Sequence, residues 1–492
     1  MSRIIIQNGN MCELDLPLKF AQKLYAEFAI RHPNAFYLRT RQRGMQNWDG
    51  KIHYINKHGE FKIGLLPAVY EKCIEYGIKP KVVDMRQPLP EVNEVVTKIG
   101  EYKLRPEQEK AVKAVINNKV GKVPFQIGVL DYTVNAGKTL IMSSLYLSYK
   151  KQLKTLLITN DSDWLNQARD EFKKYLPGEQ ITFVQGKVLN WSNFTIGMVQ
   201  SISRNMRFYQ NELAKVDMVL VDEADQAGSK QYQNVLTRLF NTRVRIGLSG
   251  TIYMSKLAKD KVKNMNLEVF FGKVLAEFKL KDSIKKGYST RTIVKMVPSK
   301  PWYGNWESEE VSYKEVYDDS ITFNKYAKKM VYSRLKWNLK QGRYPALVVC
   351  KFIAHCENLC KYFKKKLGSK YNIACVHVDT PSKIRQQIMK DFREGKIDIL
   401  VSTTIIARGK NFPKLRYLLN AASMDSQEKS IQFLGRLVRT DSSKKKVYLD
   451  DLHYPGPYLN RHGKHRKQYY QKQELKVILL EKIWKNHPIH SL

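Results

Sequence analysis

The sequence predicts an α/β protein: two tandem parallel-sheet domains, with a small α+β domain before them and a basic extension after them. Three observations carry this. Short apolar segments ("FQIGVLDYT", "KTLLITN", "FTIGMVQ", "DMVLVDEA", "VRIGLSGT") alternate with amphipathic stretches from residue 104 onward, the pattern of strands joined by crossover helices. The pattern loosens after residue 255 and restarts with "YPALVVCKF", "YNIACVHVD", "KIDILVSTT" and "LRYLLNAAS", which implies a second sheet. Between the first strand and a helical run, "DYTVNAGKTL" at 131–140 sets Gly-Lys-Thr where a phosphate-binding loop belongs.

In chain order, residues 1–95 are the small domain. "LPLKFAQKLYAEFAIRH" has the apolar spacing of a helix, and "KIHYINKHGEFKIGLL" alternates like two strands around a His-Gly turn. The two prolines of "MRQPLPEV" at 85–92 mark a linker. Residues 96–285 and 286–450 are the sheet domains. Residues 451–492 carry "RHGKHRKQYYQKQ" and then an apolar helical pattern.

Lys plus Arg exceed Asp plus Glu by 85 − 46 = 39. Such an imbalance repels itself in a compact chain, so a polyanionic partner, nucleic acid, is expected. The six cysteines form no CxxC pair, which fits thiols in a reduced compartment. Cys356 and Cys360 lie one helical turn apart without two further ligands to complete a metal site. The N-terminal apolar stretch is too short for a signal peptide, and no window reaches the roughly 18 apolar residues of a membrane span. A soluble cytoplasmic protein without membrane association is expected.

Gly-Lys occurs eight times in the chain, so Gly-Lys-Thr needs support from its surroundings. Tyr132 stands where the usual phosphate loop has its first glycine, and the role of its ring is left open. Thr133, Val134, Asn135, Ala136 and Gly137 would supply the backbone that holds phosphate oxygens. Lys138 would neutralise the β- and γ-phosphates, and Thr139 would ligate Mg2+. The decisive partner is "VLVDEADQA": an apolar strand ends at Asp222, placed to hold Mg2+, and Glu223 follows, placed to orient and deprotonate a water. In the second domain Gln432, Arg436 and Arg439 share one face of an expected helix, with arginines suited to a γ-phosphate.

"TVNAGKT", "DEAD" and "LSGT" resemble motifs I, II and III of superfamily 2 helicases, which implies two RecA-like P-loop NTPase domains using ATP and Mg2+. "LRPEQEKAV" is similar to the family's segment upstream of motif I, which implies that Arg105 and Gln108 lie near the adenine. "TLLITNDSDWLNQ" resembles motif Ia, with Asn160-Asp161 in place of Pro-Thr, and "GMVQSI" resembles motif Ib. "LVSTTIIARGKNFP" resembles motif V and "QFLGRLVR" motif VI. The resemblance places Gln200, Ser201, Ser402 and Thr403 on nucleic acid and Gly409 at the nucleotide. It also implies arginine fingers reaching across an interdomain cleft that nucleotide closes.

Motifs Ia, III and VI depart from the DEAD-box RNA helicase spellings and lie closer to DNA translocases and branch-migration helicases. "YLRTRQRGMQNWDGKIHYINKHGEFKIGLL" at 37–66 resembles the N-terminal domain of bacteriophage recombination and repair helicases of the UvsW type. That domain order implies a monomer that unwinds forks, displacement loops and four-way junctions 3′ to 5′ in a host cytoplasm. Partners would be phage recombination or single-strand-binding proteins. Arg39, Arg41, Arg43 and Lys51 beside Trp48 suit backbone contact and base stacking on DNA, as do Arg461 to Lys467 with Tyr469 and Tyr470. An RNA helicase, a duplex translocase that leaves strands paired, and a non-catalytic binding protein remain as alternatives.

Overall fold

The computed structural model describes residues 2–41, 45–188, 190–252, 261–299, 311–407, 412–425, 427–440 and 444–480. The chain divides into two compact units, Met1–Phe278 and Lys279–Leu492.

The first unit opens with a four-stranded sheet in the order Glu60–Lys62, Met11–Asp15, Arg3–Ile6, Lys81–Asp84. The helix Leu18–Glu27 forms as its spacing predicts. The chain reverses around His58-Gly59 as expected, with the Asn56 amide donating to the Glu60 carbonyl at 2.9 Å and an antiparallel bridge between Ile55 and Phe61, but the flanking strands find their longer pairings elsewhere. Lys51–His53 pairs with Ala29–Arg31, and Glu60–Lys62 pairs with Met11–Asp15. The small sheet shares its core with the larger one, so that Ile4, Phe61 and Leu65 belong to the same cluster as Val129, Val219 and Phe271. Gly64 permits the contact, because a Cβ there would lie 2.2 Å from the Glu268 carbonyl oxygen. From the larger sheet, buried Arg245 donates to the Gly9 carbonyl and the Asn10 side chain, each at 2.7 Å.

That larger sheet has seven strands, in the order Ile181–Val184, Phe194–Met198, Thr155–Thr159, Met218–Asp222, Val244–Ser249, Ile127–Tyr132, Val274–Phe278. Every neighbouring pair is parallel. Its inner strands are buried along their whole length, which is why they read as continuous apolar runs.

The second unit repeats this plan: Ile373–Val376, Ile399–Ser402, Ala346–Val349, Tyr417–Asn420, Lys446–His453, Arg291–Pro298, Lys476–Leu479, all parallel. Numbered along the chain, both sheets run 3-4-2-5-6-1-7. The seventh strand of the second sheet comes from the basic C-terminal segment, and the helix Leu459–Lys472 leads into it. Arg466 on that helix is fully buried. Its Nε donates to both Asp451 oxygens (2.9 and 3.1 Å), and its remaining nitrogens donate to the Met424 and Leu452 carbonyls at 2.8 Å. Tyr470 donates to Asp451 at 2.7 Å. Two tail residues expected on DNA are thus used inside the fold. Asp450 points to the opposite face, as strand alternation requires, and accepts from Arg334 Nε at 2.8 Å. No described helix is long and apolar enough to cross a membrane.

Candidate nucleotide site

The strand Ile127–Tyr132 gives way through residues 133–137 to the helix Lys138–Ser148. Two loop residues take left-handed backbone: Gly137 (φ 72°), which caps the helix, and Asn135 (φ 63°), a residue type that tolerates this conformation. The Leu140 amide donates to the Gly137 carbonyl at 3.0 Å, whereas the Lys138 and Thr139 amides open the helix ahead of its first internal bonds, which makes the turn an anion site. Thr139 is the second residue of that turn.

A second helix, Pro106–Ile116, clamps the loop from the side. Buried Gln108 donates from Nε2 to the Ala136 carbonyl at 2.8 Å, and its Oε1 accepts from the Arg105 amide at 2.8 Å. Arg105 donates to the Asn135 carbonyl at 3.3 Å. Residues expected beside an adenine therefore also hold the loop backbone. A Cβ at Gly137 would lie 2.3 Å from Gln108 Nε2, so any other residue there would strain the backbone and displace the Gln108 amide. Tyr132 is fully buried. Its ring packs toward Phe278 (centroids 6.0 Å apart) and its hydroxyl donates to the Glu107 carbonyl at 2.7 Å. The residue in place of the first glycine ties the end of the strand to the clamping helix.

Because Met218–Asp222, Val244–Ser249 and Ile127–Tyr132 are adjacent and parallel, their C-terminal ends share one edge, where ligands of such sheets bind. Lys138 Nζ lies 3.5 Å from Asp222 Oδ1. Burial pushes the Asp222 carboxyl up to about 6; the Lys138 ammonium pulls against this and the Glu223 carboxylate adds to it. Burial also works against the charge on Lys138, but Asp222, Glu223 and Asp225 outweigh it and hold the ammonium above its usual range. Glu223 sits in left-handed backbone at φ 52°, a strained turn of the kind found at functional sites. Hard oxygen donors from Thr139 and Asp222 suit Mg2+.

The edge carries one further connection. Asp225 accepts from Ser249 Oγ at 2.9 Å, and Ser249 Oγ accepts in turn from the Thr251 amide at 3.1 Å. A Cβ on Gly250 would come within 3.0 Å of Thr133 Cα. "SGT" thus joins the carboxylate turn to the start of the phosphate loop.

Gln200 donates to the Asn160 carbonyl at 3.2 Å, which brings the segments read as motifs Ia and Ib together, and Ser201 stands beside it on the helix Val199–Arg204. In the second unit Gln432 and Arg436 lie on the helix Gln427–Leu437. The helix stops short of Arg439, which corrects the single helical face expected for the three. Buried Lys444 donates to the Leu437 carbonyl (3.1 Å) at the helix end, and Thr290 donates to the Val438 and Arg439 carbonyls (2.8 and 3.2 Å). Ser402 is buried with its hydroxyl on the Thr403 carbonyl at 3.0 Å, at the end of its strand, and Thr403 is buried too.

In the N-terminal module Arg39, Arg41 and Lys51 are exposed, whereas Trp48 is half-buried and donates from Nε1 to the Lys51 carbonyl at 2.9 Å. Arg43 and Gly409 lie outside the described residues.

Two protein families match the chain: residues 101–254 match "Type III restriction enzyme, res subunit" and residues 327–441 match "Helicase conserved C-terminal domain". The chain has the two-domain build of a superfamily 2 helicase. A relative in this build is "Putative helicase 22" of Sulfolobus islandicus filamentous virus, 22% identical over 72% of this chain and 64% of that protein. The chain spans less than two thirds of the length of the curated relatives it matches. A putative HsdR subunit of a type I restriction enzyme from Vibrio vulnificus covers 74% of this chain and 64% of its own (15% identity, TM-score 0.55). S. cerevisiae Dbp5 bound to RNA and ADP BeF3 covers 77% and 90% (15%, 0.52). T4 UvsW matches 97% of this chain and 98% of its own at 18% identity, with a TM-score of 0.44, too loose a superposition to argue from. Likenesses at these identities speak for the fold alone.

Proposed function

We propose that the chain is an ATP-dependent DNA helicase that remodels branched DNA, such as forks, displacement loops and four-way junctions, as a monomer moving 3′ to 5′. The observation that carries the reading is the single edge on which Lys138, Asp222 and Glu223 meet a helix N-terminus. In this reading Lys138 and the first-turn amides of its helix bind the β- and γ-phosphates, and Glu223 orients a water and takes its proton. Mg2+ held by Thr139 and Asp222 would supply charge neutralisation on the phosphates. Gln432, Arg436 and Arg439 are assigned to the γ-phosphate, and Arg105 and Gln108 to the adenine. The excess of 39 positive charges supports a nucleic-acid track.

The test compares ATP hydrolysis and strand separation on single-stranded, duplex, forked and four-way DNA, with an RNA control. Hydrolysis stimulated most by forked and four-way DNA, with strands parted, is the expected result. Lys138→Ala and Glu223→Gln should each abolish stimulated hydrolysis while DNA binding survives. Undiminished turnover in either variant would remove the site assignment. The spelling Asp222-Glu223-Ala224-Asp225 and the likeness to Dbp5 favour an RNA track as the second reading, which stimulation by RNA over every DNA would establish.

A further inference from the structure

The N-terminal module has an open cavity of about 500 Å3 between the helix Ala35–Arg41 and the strand Lys51–His53. That volume lies within the roughly 300–1,000 Å3 of sites that enclose a small ligand. Gly50 builds its wall. At φ 78° the chain turns sharply, its carbonyl accepts from the His32 amide at 2.8 Å, and a Cβ would press on Ala35 Cβ at 3.1 Å. Arg31, Arg39 and Lys51 line the cavity and are exposed, and among the described residues none of the three forms an ion pair. The one carboxylate there, Asp49, is already engaged by His53 Nε2 at 2.7 Å and by the Lys51 amide at 2.9 Å. Phe36 also lines the cavity and is 79% exposed, an apolar ring left in water beside three cations.

We infer that this cavity takes an unpaired nucleotide of single-stranded DNA, with its base stacked on Phe36 and its phosphates on Arg31, Arg39 and Lys51. The inference rests on the proposed reading only in taking DNA as the partner. Charge complementarity favours an anionic occupant over a cationic one, and the exposed ring supplies what phosphate binding alone does not need. Stacking requires an open base face, which a duplex covers with neighbouring pairs, so the site selects unpaired strand. Phe36 is the more open of the two rings here, since Trp48 is half-buried, is fixed by its bond to the Lys51 carbonyl and meets His32 edge-on at 5.7 Å between centroids. A module of this kind would hold the strand released at a branch point.

Full-length protein carrying Phe36→Ala, Arg39→Gln or neither is titrated against fluorescein-labelled oligo-dT, a blunt duplex of the same length, and oligo-U. Phe36→Ala should weaken oligo-dT binding by about 5- to 150-fold, the span of one base–aromatic stack, and leave duplex binding within about twofold. Arg39→Gln should weaken both and lower the salt slope by about one. A 2-aminopurine base in the strand should be quenched by wild type and not by Phe36→Ala. Unchanged oligo-dT binding in Phe36→Ala, an equal loss on duplex, or a loss confined to oligo-U would each overturn the inference. Failure of wild type to bind any of the probes would instead remove the proposed DNA reading. Phe36 is on the surface, so matching melting curves confirm that the variant is folded.

Discussion

Adding one methyl group at Gly137 tests whether the Gln108 clamp shapes the phosphate loop. In Gly137→Ala the left-handed backbone at φ 72° disfavours alanine by about 1–2 kcal/mol. The new Cβ would also stand 2.3 Å from Gln108 Nε2, so the amide must leave the Ala136 carbonyl. Losing that buried hydrogen bond costs about 1 kcal/mol. Together these predict a weakening of nucleotide binding by about 2–3 kcal/mol, or roughly 30- to 150-fold. The two terms can be separated. In a Gln108→Ala background the methyl meets no amide, and Gly137→Ala should cost only its backbone term. Titrating a fluorescent ATP analogue into wild type, both single variants and the double variant should therefore give a coupling energy of about 1 kcal/mol. Strict additivity, with coupling under about 0.3 kcal/mol, would refute the clamp, as would wild-type affinity in Gly137→Ala.

Arg466→Met leaves Asp451 buried without its cation and should destabilise the second unit by about 3–5 kcal/mol in urea unfolding; a loss under about 1 kcal/mol would contradict the buried pair. Lys464→Gln, on the exposed side of the same helix, should stay within about 0.5 kcal/mol of wild type in that assay. His355 is buried against the Tyr317 hydroxyl at 2.9 Å, and burial pulls its imidazole down to about 3. The fold thus prefers the neutral ring. Above the unfolded value near 6.5 this has no pH dependence; as pH falls from about 6.5 toward 3 the unfolded chain gains a proton that the fold refuses. Stability from this group should fall by about 1.4 kcal/mol per pH unit across that window, and His355→Gln should flatten the slope measured by urea unfolding at several pH values.

Where a strand is buried on both faces, its sequence is a continuous apolar run and can be read directly. "DMVLVDEA" and "YPALVVCKF" are such cases, and each forms a central strand. Strands at or near the edges carry weaker patterns. Ile181–Val184 and Lys476–Leu479 are short and half-buried, and Lys446–His453 interrupts its apolar pattern with Asp450 and Asp451, whose burial only makes sense once Arg334 and Arg466 face them. The pairing of Lys51–His53 with Ala29–Arg31 is long-range and has no local signal. At the site, Lys138, Asp222 and Glu223 were legible because Gly-Lys-Thr and Asp-Glu each follow an apolar strand. The clamp was only half legible: Gln108 stands out by resemblance, but the bond from Tyr132 to Glu107 depends on two backbones meeting in space. Trp48 is a related case. An aromatic among cations is visible in sequence, while its half-burial and its bond to the Lys51 carbonyl are seen only in the fold.

The shared strand order does not duplicate the chemistry, and the difference lies at matched positions. In the first unit the first strand leads into the glycine loop and the fifth ends on Asp222, beside Lys138. In the second unit the first strand, Arg291–Pro298, leads into Ser299 with no Gly-Lys-Thr behind it. The fifth ends on Asn420, not on a carboxylate. That amide is buried and donates to Asp451 at 2.8 Å, the same carboxylate that holds Arg466 and Tyr470. The position that offers a carboxylate beside a phosphate loop in one sheet is therefore built into the packing of the C-terminal helix in the other. A second phosphate site on that edge would need a loop the sequence lacks and a side chain the fold has already committed. Of the two matched edges, only that of the first unit brings a Gly-Lys-Thr loop and a strand-end carboxylate together.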